Sequence, residues 1–460
     1  MNRKNNTTPQ KERSCMGQSS PFPSSAASRS GWFWVPSLYL AEGLPAALVT
    51  TVSLVMFSHL GVPTEKSLFW TGLYGLPWML RPLWVPFIDR VGTPRSWAVV
   101  LQMLMGGLFA AAGFAAAMGA WFGALSFCFF AAAFASATHD AAADGFYIIA
   151  LNASDQAKFS GIRSALYKAG TVIGQGGLAM AAGALAKFLS PGAAWGSVYA
   201  AAGLFMVLLG FWHLVLMPRP PETPKKGDPP KLSLLNFFAP YKETVTAPGF
   251  LKALAFLLLF RLAESQLRVA VPFLLAGRDA GGMGLSVGEQ GFLYGTCGPL
   301  ALIGGGILSG YLISRCGIKR WIFPMVLAIN VPDLVYVYLS FFRPEALWVT
   351  GTCIFIEQLG YGFGFTLQTL CMVALARNKA GNETSCFALF TALSLLGVML
   401  PGSFAGYLLK IPALLFPAAD ALFSYRLFFI WVILCTIPSF AVTFLMKKEL
   451  CQAFPPPSEK

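Results

Sequence analysis

Apolar residues in this chain run in long unbroken blocks rather than alternating with polar ones. Twelve blocks reach the roughly 20 residues that an α-helix needs to cross hydrocarbon. They lie near 32–58, 67–88, 97–118, 121–151, 163–187, 196–217, 249–275, 288–313, 321–341, 346–376, 385–409 and 426–446. Most connections between them are short. The pattern predicts an all-α integral membrane protein with twelve transmembrane helices, because a backbone in lipid must satisfy its own hydrogen bonds.

Composition agrees. Of 460 residues, 56% are hydrophobic and only 12% charged, against about 25% charged in soluble domains. A soluble enzyme and a disordered protein are excluded. The net charge of +13 would suit a nucleic-acid binder, but its distribution argues otherwise. Sorted by connection, 22 basic residues fall on one side of the membrane, five on the other and six inside spans. The positive-inside rule then predicts that both termini are cytoplasmic, with the lipid bilayer as the partner and no nucleic acid. The polar, Ser-rich residues 1–31 contain no short apolar core, so they are expected to form a disordered cytoplasmic tail rather than a signal peptide. The nine cysteines are scattered without a CxxC pair. Buried free thiols are expected, with no disulfide framework, metal site or cofactor.

The Pro- and Lys-rich stretch 218–248 divides the spans six and six. The predicted organisation is a tail (1–31), an N-terminal half (32–217), a central cytoplasmic loop (218–248), a C-terminal half (249–446) and a second tail (447–460). A repeat supports the division. Span 2 ends in Asp89-Arg90-Val91-Gly92 and span 8 in Ser314-Arg315-Cys316-Gly317, each followed by further basic residues and a Trp. Two parallel six-helix halves with a site between them resemble the major facilitator superfamily. That resemblance implies a cytoplasmic gate at Asp89, Arg90, Gly92, Arg315 and Gly317; otherwise the turns are ordinary short basic loops.

Longer stretches resemble one branch, the AmpG-type muropeptide permeases. They include Tyr39-Leu-Ala-Glu42-Gly43-Leu-Pro45, Leu76-Pro77-Trp78-Met-Leu-Arg81-Pro82-Leu-Trp84, Ser136-Ala-Thr-His139-Asp140-Ala-Ala-Ala-Asp144-Gly145-Phe-Tyr147 and Glu357-Gln358-Leu-Gly360-Tyr361-Gly362. The likeness runs from about 32 to 446. Arg81 and His139 stand where members usually have Lys and Gln or another polar residue. The resemblance implies proton-driven import of peptidoglycan-derived disaccharides or disaccharide-peptides. The wider group also includes an acetyl-coenzyme A transporter, so the substrate stays open.

An ionised side chain in a spanning helix costs about 2.5–3.5 kcal/mol on insertion scales and so faces a cavity or a partner. Asp140 and Asp144 lie four apart, on one helical face. Two acids so close resist simultaneous ionisation, which suits a proton carrier; the alternative is a structural ion pair with Arg81 or Lys168. Glu42, beside Gly43 and Pro45, and Glu264 join the proton-coupling candidates. Arg261, Glu264 and Arg268 fall at i, i+3 and i+7, a net positive stripe suited to an anionic substrate, or else self-neutralising packing. Candidate substrate contacts are Arg81, Arg261, Arg268, Tyr147, Lys168, Glu357, Gln358 and Tyr361, with Tyr39, Trp78 and Trp84 as further rings to stack on sugars. Glycines 360, 362 and 364 make helix 10 thin, either as a pliable gate or for close packing. His59 and His213 are read as bystanders, and His139 as a satisfied packing histidine, with a part in proton relay as the alternative. Trp121, Trp195 and Trp348 are assigned to the interfacial belt.

Asp140-x-x-x-Asp144 also resembles half of a diphosphate–magnesium motif of intramembrane transferases, but no second acidic cluster accompanies it. The expected function is therefore a monomeric, proton-coupled transporter of the cytoplasmic membrane, importing a peptidoglycan-derived saccharide or muropeptide. The alternatives are another anionic solute, such as sialic acid or acetyl-coenzyme A, a metal-dependent transferase, or a sensor on a transporter fold.

Overall fold

The computed structural model describes residues 24–84, 92–119, 122–151, 153–219, 242–377, 383–416 and 420–453. Among them the chain is helical, without strands. In chain order the helices are α1 (24–59), α2 (64–84), α3 (Pro94–Ala117), α4 (Phe122–Ala150), α5 (153–185) and α6 (Pro191–Leu216). The second set is α7 (250–275), α8 (287–316), α9 (318–342), α10 (Leu347–Arg377), α11 (Glu383–Leu415) and α12 (421–453). Asp89, Arg90, Trp121 and most of both tails and the central loop lie outside the described residues.

Eight of these are long and apolar enough to cross a membrane: α1, α3, α4, α6, α8, α9, α11 and α12. The other four predicted spans are helical too, but charge or a break interrupts each. α2 breaks at Tyr74-Gly75 and tightens into a 3-10 turn at Arg81–Leu83. α5 opens on polar turns with Asp155. α7 breaks at Arg261 and tightens at Leu267–Val269, and α10 carries Glu357. The two broken ones, α2 and α7, are of the discontinuous kind that supplies binding groups in transporter folds.

Several helices overrun their predicted ends. α1 begins at Ser24 rather than 32, α5 at Ala153 rather than 163, and α12 ends at Ala453 rather than 446. Hydropathy marks only where lipid stops. A helix bonds its own backbone and continues into water until a breaker intervenes. The paired turns show the repeat at backbone level, since Gly92 (φ 84°) and Gly317 (φ 74°) both occupy the left-handed region that favours glycine. Arg95 then caps α6, its Nε donating to the Met217 carbonyl at 3.0 Å.

Within the first set, α3 packs along α6, their backbones meeting at Gly106, Gly113, Gly196 and Gly203; small residues permit this approach in lipid. In the second set α10 lies against α8 and α9. Its glycines face these neighbours: Gly360 meets the Ala328 backbone, Gly362 that of Leu302 and Gly364 that of Met325. α10 is one continuous helix of 31 residues, so the glycines seat it rather than hinge it. Trp195 corrects the belt reading. It is fully buried in α6 and donates to His59 Nδ1 at 3.0 Å, because its position faces the bundle rather than the lipid. Trp348, by contrast, is exposed.

The two sets of six meet chiefly along three seams, α1–α7, α2–α11 and α5–α8, with a smaller contact of α7 on α2. All three lie toward the ends of the helices remote from the chain termini. At the α5–α8 seam Gly176 and Gly295, each in a π turn, touch backbone to backbone.

Candidate substrate and proton site

The sequence-flagged charges of the first half converge. Asp144 Oδ1 on α4 accepts from Tyr39 Oη of α1 at 3.2 Å and from Arg163 of α5 at 3.0 Å. The Arg163 guanidinium lies 4.7 Å from the Tyr39 ring centre and 5.5 Å from that of Tyr147, and the two rings meet edge to face. The Asp144 and Arg163 side chains are each 36% exposed. A charge pair so open inside a spanning helix faces water between helices, because lipid would not solvate it. Asp140 takes a different partner: Trp78 Nε1 donates to its Oδ2 at 2.9 Å. Glu42 is 5% exposed, its Oε1 without a hydrogen-bond partner among the described residues. It lies within electrostatic reach of Asp140, Asp144, Arg163 and Arg81. The cluster thus holds three acids and two arginines.

In the second half the predicted stripe on α7 divides. The break at Arg261 and the 3-10 turn at 267–269 rotate its members apart. Arg261 Nε and Nη2 both reach Glu264 Oε2 at 2.9 Å, and Nη2 also donates to Tyr361 Oη at 2.6 Å. Arg268 turns the other way, donating to Thr71 Oγ1 of α2 at 2.9 Å and to the Thr50 carbonyl at 3.4 Å. Thr50 lies in the π turn Leu48–Val52 that follows Pro45. Arg268 therefore ties the halves together, and the Lys410–Glu65 pair (2.5 Å) does the same further out on α11 and α2. Glu357 is 4% exposed, accepting from Tyr336 at 3.3 Å and from Gln358 at 2.9 Å.

The ion-pair reading of Asp144 named Arg81 or Lys168. Arg81 is in electrostatic reach, whereas Lys168 is exposed further along α5, and the base in contact is Arg163. Hydropathy had placed Arg163 at a span edge; the polar turns from Ala153 that extend α5 were the signal to include it. Asp333, buried on α9, was also missed, and Pro332 before it in mid-span was the clue. Trp78 and Trp84 donate to Asp140 and Thr138 (3.1 Å). His213 bridges Ser37 (2.9 Å) and Gln102 (2.7 Å). His139, 3.9 Å from Asp140, has no hydrogen-bond partner on either ring nitrogen among the described residues. Of the turn residues, Arg315 is exposed beside the Tyr311 ring. The cysteines of the described residues are free.

Comparison with known proteins follows the same line. An uncharacterized protein of Haemophilus influenzae is 24% identical over 377 residues, 80% of this chain and 85% of that protein. A putative transporter AmpG 2 of Rickettsia typhi is 22% identical over 47% of this chain and 48% of its own. Among solved structures, an inward-facing, unoccupied bacterial homolog of the human lysosomal transporter Spinster superposes with TM-score 0.65. It is 16% identical and covers 93% of this chain and 98% of its own. The nucleoside transporter NupG gives 0.64 at 14% identity over 90% of this chain and 98% of its own. Residues 37–401 match the family model of the Major Facilitator Superfamily. The chain belongs to the Major Facilitator Superfamily, and is a multi-pass membrane transporter rather than an enzyme.

Proposed function

We propose that this protein is a proton-coupled importer of the cytoplasmic membrane for peptidoglycan-derived saccharides or muropeptides, with both termini cytoplasmic. The observation that carries the reading is Asp144, a part-open carboxylate held inside the membrane by Tyr39 and Arg163. A proton on Asp144 releases Arg163 from its ion pair. The freed guanidinium, flanked by Tyr39 and Tyr147, then suits a sugar that bears a carboxylate: aromatic faces for the ring, a fork for the anion. Asp140, Glu42 and Arg81 complete this proton and substrate cluster, and Arg261, Glu264, Gln358 and Tyr361 are its counterparts in the other half under this reading.

Seams closed on the side remote from the termini support an inward-open state under this orientation. Binding energy that differs between the two states then drives alternating access. The partial likeness to the putative AmpG transporter supports the substrate class. Liposomes holding the purified protein and given an inward proton gradient should accumulate anhydro-muropeptides or their disaccharide core. Uptake of sialic acid or acetyl-coenzyme A in their place would move the substrate to another anionic solute. Accumulation indifferent to the gradient would remove the coupling.

A further inference from the structure

Asp333 is the buried acid that neither the cluster on α4 nor the pairs on α7 account for. It closes the 3-10 turn Val331–Asp333 that interrupts α9 after Pro332. It is 2% exposed, and its Oδ2 has no hydrogen-bond partner among the described residues. Every neighbouring element adds a polar group. From α10 comes Glu357, which accepts from Tyr336 of α9 and from Gln358. From α8 comes Tyr294, whose hydroxyl touches that of Tyr336. Glu264 of α7 is within electrostatic reach of both acids, but Arg261 neutralises it and is itself committed to Tyr361. From α12, the Ser439 hydroxyl accepts from Asn330 at 3.0 Å. Asp333 and Glu357 thus meet no base among the described residues.

An ionised carboxylate buried without a partner is costly, and such a group takes up a proton instead. A phenol both donates and accepts, so Tyr294 and Tyr336 form a chain that ends on Glu357. We propose that Asp333 and Glu357, together with the hydroxyls of Tyr336 and Tyr294, form a second proton-binding site in the C-terminal half, separate from Asp144. As a proton moves in, Tyr336 gives its O–H proton to a Glu357 oxygen and takes one from Tyr294, which takes up the entering proton in its place; all hydroxyls end protonated and no electrons are transferred. The site's part in transport rests on the proton-coupled reading above, whereas its occupancy does not.

Infrared pH titration of the full-length protein in bilayers tests occupancy without a substrate. The wild type should show a protonated-carboxyl stretch that shifts in D2O. D333N should lose the Asp333 component, E357Q the Glu357 component, and D144N should retain both. Y336F, which keeps both acids and the ring, should shift the Glu357 band. Bands unchanged in D333N and E357Q would overturn the proposal. So would their disappearance when sodium chloride replaces choline chloride at constant pH, which would make the site a sodium site. If the bands behave as expected while accumulation ignores the pH gradient, the site stands and the coupled reading fails.

Discussion

Tyr39 on α1 reaches Asp144 on α4 across 3.2 Å, and each stands in a pattern that the second half repeats with other residues. In the first half an acid follows the α1 residue by three (Glu42) and another precedes the α4 residue by four (Asp140). In the second, Arg261 of α7 reaches Tyr361 of α10 at 2.6 Å, Glu264 follows by three, and Glu357 precedes by four. The same two positions are filled by a hydroxyl and an acid on one side, by a base and a hydroxyl on the other. The contact thus carries an acid in the first half and a base in the second.

Arg163 is the base on which that acid depends. Hydrogen bonds to charged groups contribute about 1.5–3 kcal/mol when shielded, and this pair is only partly so. Arg163→Gln is expected to lower uptake of an anionic substrate about tenfold with surface expression unchanged. Arg163→Lys, which keeps charge but loses the fork, should fall between. Initial-rate uptake in liposomes checks both.

Arg268 holds the halves together through Thr71. Thr71→Val keeps the side-chain shape but removes the acceptor, so the seam should open more often. A cysteine pair placed at Glu65 and Lys410, whose charged ends meet at 2.5 Å, should then cross-link several-fold more slowly in a background lacking native cysteines. An unchanged rate would return Arg268 to the list of substrate contacts.

The contact of Gly176 with Gly295 permits closure of the α5–α8 seam. A Cβ on Gly295 would land on the Gly176 backbone. Overpacking costs about 1–3 kcal/mol, so the closed arrangement should become roughly five- to 150-fold scarcer in Gly295→Ala. Thiol labelling of a cysteine placed at Ala179, buried further along the seam against Gly291, should rise while net uptake falls.

Trp195 tests packing apart from transport. Removing so large a buried ring costs about 3–5 kcal/mol. Trp195→Ala should therefore lower the thermal unfolding midpoint in detergent, and Trp195→Phe much less so. The protein that stays folded should keep its dependence on the pH gradient.

Much of this was legible in the sequence because lipid permits so few backbone solutions. Runs of apolar residues located the helices, and charges inside them (Glu42, Asp140, Asp144, Arg261, Glu357) marked the interior. Partner choice was less legible. Helical spacing put Arg261 and Arg268 on one stripe, but the break in α7 sent one to Tyr361 and the other across to Thr71. Hydropathy cut α5 short and so hid Arg163. Asp333 went unread because one acid in a helix otherwise apolar disturbs the average little.

Proton coupling through Asp144 is the central claim, and the Asp144→Asn variant in liposomes tests it most directly. With a proton gradient imposed, the wild type should concentrate the substrate found by the uptake screen, and Asp144→Asn should not. Both should still exchange labelled for unlabelled substrate at equal concentrations, because exchange needs no net proton movement. An Asp144→Asn protein that concentrates substrate as the wild type does would contradict the account.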